Sequence, residues 1–391
     1  MMKKLLRSRG LKKLLRNRLA LAAMFVIGLY SFIGIAVFFG AISDEETAQR
    51  VGPDSYPGYP HTATAEERLQ HCDFYVSRIE RVLSRDGNLE EAALALRPVR
   101  EGSREELAAD IEKAIALYDE ITESQKNLND SPEVLPKIAE LEEIVDGLYT
   151  PGSGWKGFYH DFQLFFGTDR QGRSIILRGL YSIKVAIQVG VVVALIAVLF
   201  GSLLGAAAAF FGPWVDIPVI WLYSTFSSIP YLVLLTLLAF MFLGSTIETQ
   251  YPLVPLYVAF CTTFWIGPCR VIRGEALKIK ELEYVQAATA VGFGRFYILW
   301  KHILPNTSHL MFINFSLLFI GAIKAEVILT FLGLGIKEGA SWGIMISQSK
   351  FEVVNGFFWQ IGVATFLMMG LVLAFNILTD ALQDAFDPKH V

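Results

Sequence analysis

With 391 residues, 53% of them hydrophobic and only 18% charged, the chain is too apolar and too unevenly charged for an ordinary soluble domain. The net charge of −4 hides two opposite regions: residues 44–160 hold 25 acidic and 12 basic side chains, the remainder 13 and 22. That division excludes a uniformly basic nucleic-acid binder, so no nucleic-acid partner is expected, and it points to membrane spans with one acidic, water-facing insert.

Residues 1–18 carry eight Lys or Arg and no acid, which predicts a cytoplasmic N-terminus. Leu19 to Ser43 follows without a charge and is long enough to cross a bilayer, where roughly 20 residues suffice. A cleaved signal peptide is the competing reading, but its apolar run would be about 7–15 residues. A retained first span is therefore expected.

Asp44 to His160 changes character, and its apolar period becomes helical. Leu69, Cys72, Val76, Ile79 and Leu83 step by three and four behind Thr64 and Glu67, ahead of Gly87. Leu107, Ile111, Ala114, Tyr118 and Ile121 repeat the pattern behind Ser103 and Glu106, and Leu135, Ile138, Leu141, Val145 and Leu148 make a third stripe after Ser131 and Pro132. The expectation is an antiparallel bundle with a further short helix near 89–96, facing outside, with Ser124 and Ser349 as exposed polar sites. Its acidic surface reads either as a solvated face or as a contact for an outer partner. Cys72 has no disulfide partner there.

Further charge-free runs are Val185 to Val215, Ile217 to Ile247, Thr249 to Cys269 and Val353 to Thr379; His302 to about Leu334 is a sixth span containing Lys324 and Glu326. Six spans put both termini in the cytoplasm. Arg170, Arg173, Arg178 and Lys184 then lie outside, against the positive-inside tendency, and an Asp169–Arg173 pair at helical spacing offsets part of that cost. Pro230 predicts a kink in the third span, and Gly201, Gly205 and Ala209 a close-packing face in the second. Gly267, Pro268 and Gly274 are expected to loosen the end of the fourth.

Glu283 to Asn306, EYVQAATAVGFGRFYILWKHILPN, reads as a cytoplasmic docking element set between spans. Tyr284 to Val291 favours helix, with Ala287 and Ala288 giving a narrow face for close approach. Gly292 supplies the positive φ that ends it, and a second run, Phe296 to Ile303, is expected to close at Pro305. Lys324 and Glu326, two apart on a helix, point in different directions; they need separate partners or snorkel to a membrane edge. No phosphate-binding G-x-x-x-x-G-K-[ST] loop, Ser-His-Asp set or metal-ligand spacing occurs, so no cofactor, metal or ATP hydrolysis is expected in this chain.

The Glu283–Asn306 segment resembles the coupling loop of ABC importer permeases, a Glu-Ala-Ala, three residues, Gly, then a spacer ending in Leu-Pro. Ala287, Ala288, Gly292, Leu304 and Pro305 match, while Gln286 stands where that family usually has Glu. FFGTDRQGRSIILRGLYS, which holds Gly167, Thr168, Asp169, Gly172 and Arg173, AEVILTFLGLGIKEGASWGIMI and the ending AFNILTDALQDAFDPK resemble the dipeptide/oligopeptide/nickel branch. The resemblance implies an all-α polytopic permease of six spans: 1–18 cytoplasmic, 19–43 the first span, 44–160 an extracytoplasmic helical domain longer than the branch usually has, and 161–391 five spans with a coupling loop over about 270–308. It implies a second homologous permease, ABC ATPase subunits, an extracytoplasmic solute-binding protein, and a setting in the cell inner (cytoplasmic) membrane. The competing reading is a membrane-anchored envelope scaffold that retains a permease core; an ion-coupled transporter lacks the acid relay it would need.

Overall fold

The computed structural model describes residues 16–52, 65–86, 89–90, 103–123, 134–149, 154–337 and 339–386. Residues 1–15, Thr64, Gly87, most of the short helix expected near 89–96, Ser124, Ser131 and Pro132 lie outside that set. Among the described residues every regular element is helical, and the only β-type pairings are two isolated bridges. Five helices among the described residues are long and apolar enough to cross a bilayer: Arg18–Phe38 (α1), Ile175–Phe211 (α7), Val254–Lys280, Arg295–Phe331 and Trp359–Ala385. Pro213–Ser227 (α8) and Tyr231–Phe240 (α9) meet at 87° and make a sixth span if counted together. The break is at Pro230, whose ring and missing N–H interrupt the helical ladder just after Ser228 closes α8.

Contacts divide the chain into two compact units, the first comprising 1–41, 180–347 and 365–391, the second 42–179 and 348–364. In the first unit, Val189, Val193, Ala197, Leu235, Phe260, Ala322 and Leu329 form a buried apolar cluster. Gly201 and Gly205 of α7 lie against the Val254–Lys280 span so closely that a Cβ would come within 2.4 Å of the Trp265 carbonyl oxygen and 2.3 Å of that of Cys269. Close approach of backbones, with no side chain between them, is how helices associate where lipid supplies no hydrophobic drive. The Tyr30 hydroxyl of α1 donates to the Leu367 carbonyl at 2.9 Å, tying the first span to the last.

Two span limits differ from the charge-free runs. The second span's helix begins at Ile175 and takes in Arg178 and Lys184, because Arg178 is neutralised by a neighbour rather than exposed. Gly267, Pro268 and Gly274 do not loosen the end of the fourth: the span breaks earlier, at Trp265, between the helices Val254–Phe264 and Ile266–Lys280, and the second of these runs through all three residues to Lys280. Pro268 lies in the first turn, where a missing N–H has no helical partner to lose.

In the second unit, Ala65–Asp86 (α3), Arg104–Glu123 (α4) and Val134–Tyr149 (α5) carry the three stripes. Cys72, Val76, Ile79, Ile111, Ala114, Ile138, Leu141, Val145 and Leu148 are each fully buried in their shared core. Ser103 and Glu106 bond reciprocally at the start of α4, each across 3.3 Å, as a capping box does. Arg68–Glu142, Lys137–Glu120 and Lys113–Glu140 pair across helices at 2.5, 2.8 and 2.7 Å. Ser349, expected at the surface, is fully buried.

Candidate functional site

Glu283–Ala290 (α13) is an eight-residue helix that leans on its own chain through Val285 and Ala288. Both join Ala206, Ala209, Ile272, Ala276, Ile279, Ile298 and Ile303 in one apolar cluster. Ala288 is only 8% exposed, so the two alanines do not form one outward face: Ala288 is turned inward, and Ala287 beside it is exposed. The outward side of this element consists of Glu283, Tyr284, Gln286 and Ala287, followed by Val291, Phe293, Phe296 and Trp300, four side chains between 48% and 77% exposed. A run of apolar groups this open is the sort of surface that partners cover.

The helix ends as the sequence requires. Gly292 has φ +91, its N–H donates to the Thr289 carbonyl at 3.0 Å, and the Phe293 N–H reaches back to Ala288 at 3.2 Å. This is the Schellman pair of bonds, with glycine in the left-handed position after the last helical residue. Gln286, standing in the place of a Glu, donates from Nε2 to the Glu281 carbonyl at 3.2 Å and to its carboxylate at 3.4 Å. A glutamate there could donate neither bond and would face a like charge.

Pro305 does not close the second run. Arg295–Ile298 (α14) passes into a π-helical turn, Leu299–Ile303, and straight on into Leu304–Phe331 (α15). The Leu304 N–H reaches the Leu299 carbonyl, five residues back. The wider turn makes room for the Pro305 ring, which would otherwise strike the carbonyl four residues earlier. Asn306 then joins span to loop: its Nδ2 donates to the His302 carbonyl and to the Tyr284 hydroxyl, each at 2.7 Å. Tyr284, Leu304, Pro305 and Asn306 are thus brought to one corner with α13.

A clamp that the sequence did not reveal lies beside this corner. Arg273 of Ile266–Lys280 (α12) holds Asp216 of α8 through two parallel bonds of 2.5 and 2.7 Å. Arg270 lies over the Tyr223 ring at 4.7 Å and donates to Ser227 at 2.8 Å. The partners are 57 and 43 residues apart, so no local pattern announces them.

In the second unit, Gly167, Thr168, Asp169, Gly172 and Arg173 form a tight turn ahead of α7. Asp169 is buried; its Oδ1 accepts the Gln171 and Arg173 N–H groups at 2.9 Å each, and its Oδ2 accepts from Arg173 Nε at 2.8 Å and from Arg178. Both guanidiniums also bond the Gln348 side-chain oxygen, at 3.0 and 2.9 Å, and Glu352 accepts the Arg170 N–H at 2.8 Å. The Asp169–Arg173 pair is real but sits in a turn rather than on a helix. Burial pushes the Glu352 carboxyl above its ordinary range, while the Arg170 N–H bond acts the other way. Gly172 at φ +72 has no room for a side chain, since a Cβ would lie 2.4 Å from the Gly52 carbonyl oxygen. Of the four basic residues that argued against the orientation, Arg173 and Arg178 are spent on this internal network; Arg170 enters it only through its backbone N–H, and Lys184 lies instead against Tyr181.

Lys324 and Glu326 part company on α15. Glu326 is buried and accepts from Thr330 at 3.0 Å and from Ser341. The glycine-rich stretch after α15 folds over that pair, with Gly343 so near Thr330 that a Cβ would meet its Cβ at 2.7 Å. Lys324 is exposed and has no bonded partner among the described residues. The described residues include no cluster of three metal-ligating side chains.

The helical spans, the capped loop helix and its link to the start of α15 define a polytopic permease. The chain belongs to the family described as binding-protein-dependent transport system inner membrane components, which matches residues 197–390. It is 36% identical over 226 residues to the dipeptide transport system permease protein DppC of Bacillus subtilis, covering 58% of this chain and 68% of that one. The oligopeptide transport system permease protein OppC of Haemophilus influenzae is 34% identical over 226 residues, 58% of this chain and 70% of its own. The peptidoglycan transport system permease protein YejE of Agrobacterium fabrum is 31% identical over 229 residues, 58% of this chain and 57% of its own. The chain is a multi-pass membrane permease component of an ABC importer, and the scaffold reading is not favoured.

Proposed function

We propose that the chain forms half of a peptide translocation pathway and is driven through Glu283–Asn306 by ATPase subunits that it does not itself contain. The observation that carries this is the two-sidedness of α13: Val285 and Ala288 fasten it to the chain's own cluster, while Glu283, Gln286 and Ala287 stay outward beside an uncovered apolar rim. A helix held this way transmits displacement, because pressing its outer face moves the cluster that includes Ile298, Ile303 and Leu304 at the foot of α15.

The remaining parts follow from that role. A second homologous permease completes the pathway, and an extracytoplasmic solute-binding protein delivers peptide. Peptides are the transported class because relatives with this similarity are named for dipeptide and oligopeptide transport. The setting is the inner membrane, with both termini and the 283–306 loop cytoplasmic and residues 44–160 outside. The basic first eighteen residues and six further Lys or Arg between Arg270 and His302 support that orientation.

Ala287→Cys tests the coupling role directly. Cross-linking to a co-expressed ATPase subunit is expected from position 287 and not from the buried position 288. Equal cross-linking from both, or from neither while the complex remains assembled, refutes the assignment. Labelling of a cysteine at Arg295 only from outside the cell overturns the orientation.

A further inference from the structure

Lys324 is a cation set into a membrane helix without an acid to answer it among the described residues. It lies seven residues before the end of α15 at Phe331, about 10 Å of helix at 1.5 Å per residue. The Cα–Cβ bonds of a helix tilt toward its N-terminus, so the Lys324 side chain leaves the backbone toward Leu304, away from the nearer end. Snorkelling out past Phe331 would have to run against that direction. The chain beyond Phe331 also folds back onto this level, with a Cβ at Gly343 meeting the Val327 Cα at 3.1 Å. The nearest acid in sequence, Glu326, points elsewhere and is occupied by Thr330 and Ser341.

The face that carries Lys324 is otherwise bare. Leu317, Ile328 and Phe331 are exposed at helical spacing from it, while the opposite side of the same turns, from Phe319 to Thr330, is buried in the bundle. Ionised side chains inside a membrane face an aqueous cavity or a counter-charge, because lipid satisfies neither their hydration nor their hydrogen bonds. An apolar wall bearing one ammonium is the chemistry that holds a single carboxylate and tolerates varied apolar neighbours.

We infer that Lys324 faces the translocation pathway and binds the C-terminal carboxylate of the passing peptide. This rests on the peptide-importer reading and adds the group that is recognised. Glu326 has no part in it; its role is to fix the Thr330–Ser341 corner behind the wall.

The test uses the assembled transporter with its own partner subunits in proteoliposomes. Uptake of labelled dialanine is measured against competition by unlabelled dialanine and by its C-terminal amide, for wild type, Lys324→Gln and Lys324→Arg. In wild type the amide should compete at least about tenfold more weakly, the discrimination a charged hydrogen bond provides. Lys324→Gln should raise the KM for dialanine about tenfold and abolish the preference for the free acid. Subunit co-purification should stay at wild-type levels, and Lys324→Arg should restore most of the preference. A Gln variant that keeps the wild-type preference overturns the inference and leaves the importer reading standing. So does a Gln variant that loses its second permease, which would make the counter-charge a protein carboxylate. A wild-type complex that carries other solutes but neither transports nor is inhibited by dialanine refutes the peptide reading, and this inference with it.

Discussion

Replacing Gly292 by valine isolates the backbone term at the end of α13. At φ +91 an L side chain is strained, and a single residue forced into the left-handed region costs roughly 1–2 kcal/mol, more when β-branched. Nothing lies within 4 Å of the Cβ that would be added, so the cost is conformational and no collision with the fold enters it. One to two kcal/mol is a factor of about 5–30 in the population of the capped loop. Uptake by the assembled transporter should fall by about that factor, while the amount of permease in the membrane stays near wild type. Gly292→Asn is the control, because asparagine tolerates the left-handed region and serves as a helix terminator. It should retain most transport. Uptake, permease abundance and ATPase co-purification measured together distinguish the cases. Equal uptake by the Val and Asn variants would show that the Gly292 conformation does not limit coupling.

Ala288→Asp should lower permease abundance, since its carboxylate would enter the Val285–Ile298 cluster, whereas Ala287→Asp should leave abundance unchanged and weaken ATPase association; immunoblot and co-purification separate the two. Asp169→Asn removes the charge partner of the buried Arg178 and the partly buried Arg173 and should destabilise the second unit by roughly 3–5 kcal/mol, read as lost abundance or protease resistance. The excised fragment 65–149 should give a strongly helical circular dichroism spectrum with a cooperative melt; a β or disordered spectrum would refute the bundle. His160, in Trp155–Leu164, is held below its ordinary value mainly by burial. Its neutral form therefore favours the folded state above about pH 6.5, and that contribution disappears as the pH falls through the lowered value. The melt of the second unit in the full protein should drop between pH 7.5 and 5.5, and His160→Gln should flatten that drop.

What could be read from the sequence was whatever depends on near neighbours. The uncharged runs located the spans, and the apolar steps through Leu69–Leu83, Leu107–Ile121 and Leu135–Leu148 fall on helices because three-and-four spacing is a local property. Gly292 and the bend at Pro230 were legible for the same reason. The misreadings share one cause, namely that a residue's partner lay far away in the chain. Arg178 looked like a residue outside the second span because Gln348, 170 residues on, and the turn at Asp169 could not be seen as its neighbours. Ala288 looked like part of an outer face because the cluster that receives it is drawn from Ala206, Ile272 and Ile298. Pro305 looked like a stop because a π turn leaves no mark in composition. The Arg273–Asp216 clamp was invisible on the same ground.

One detail of the second unit bears on how such a chain could have been assembled. The strand of backbone entering the acidic insert and the turn leaving it touch: Val51 and Gly52 donate to the Gly172 carbonyl at 2.8 and 3.2 Å, and Arg50 bridges Arg173. Everything between is a closed loop hung from one seam. For a flexible loop pinned at its ends, doubling the length adds only about 0.6 kcal/mol of closure entropy. The seam is therefore a graft point. A short hairpin, this helical bundle or an unrelated domain could occupy it in turn while Gly52 and Gly172 remain in register.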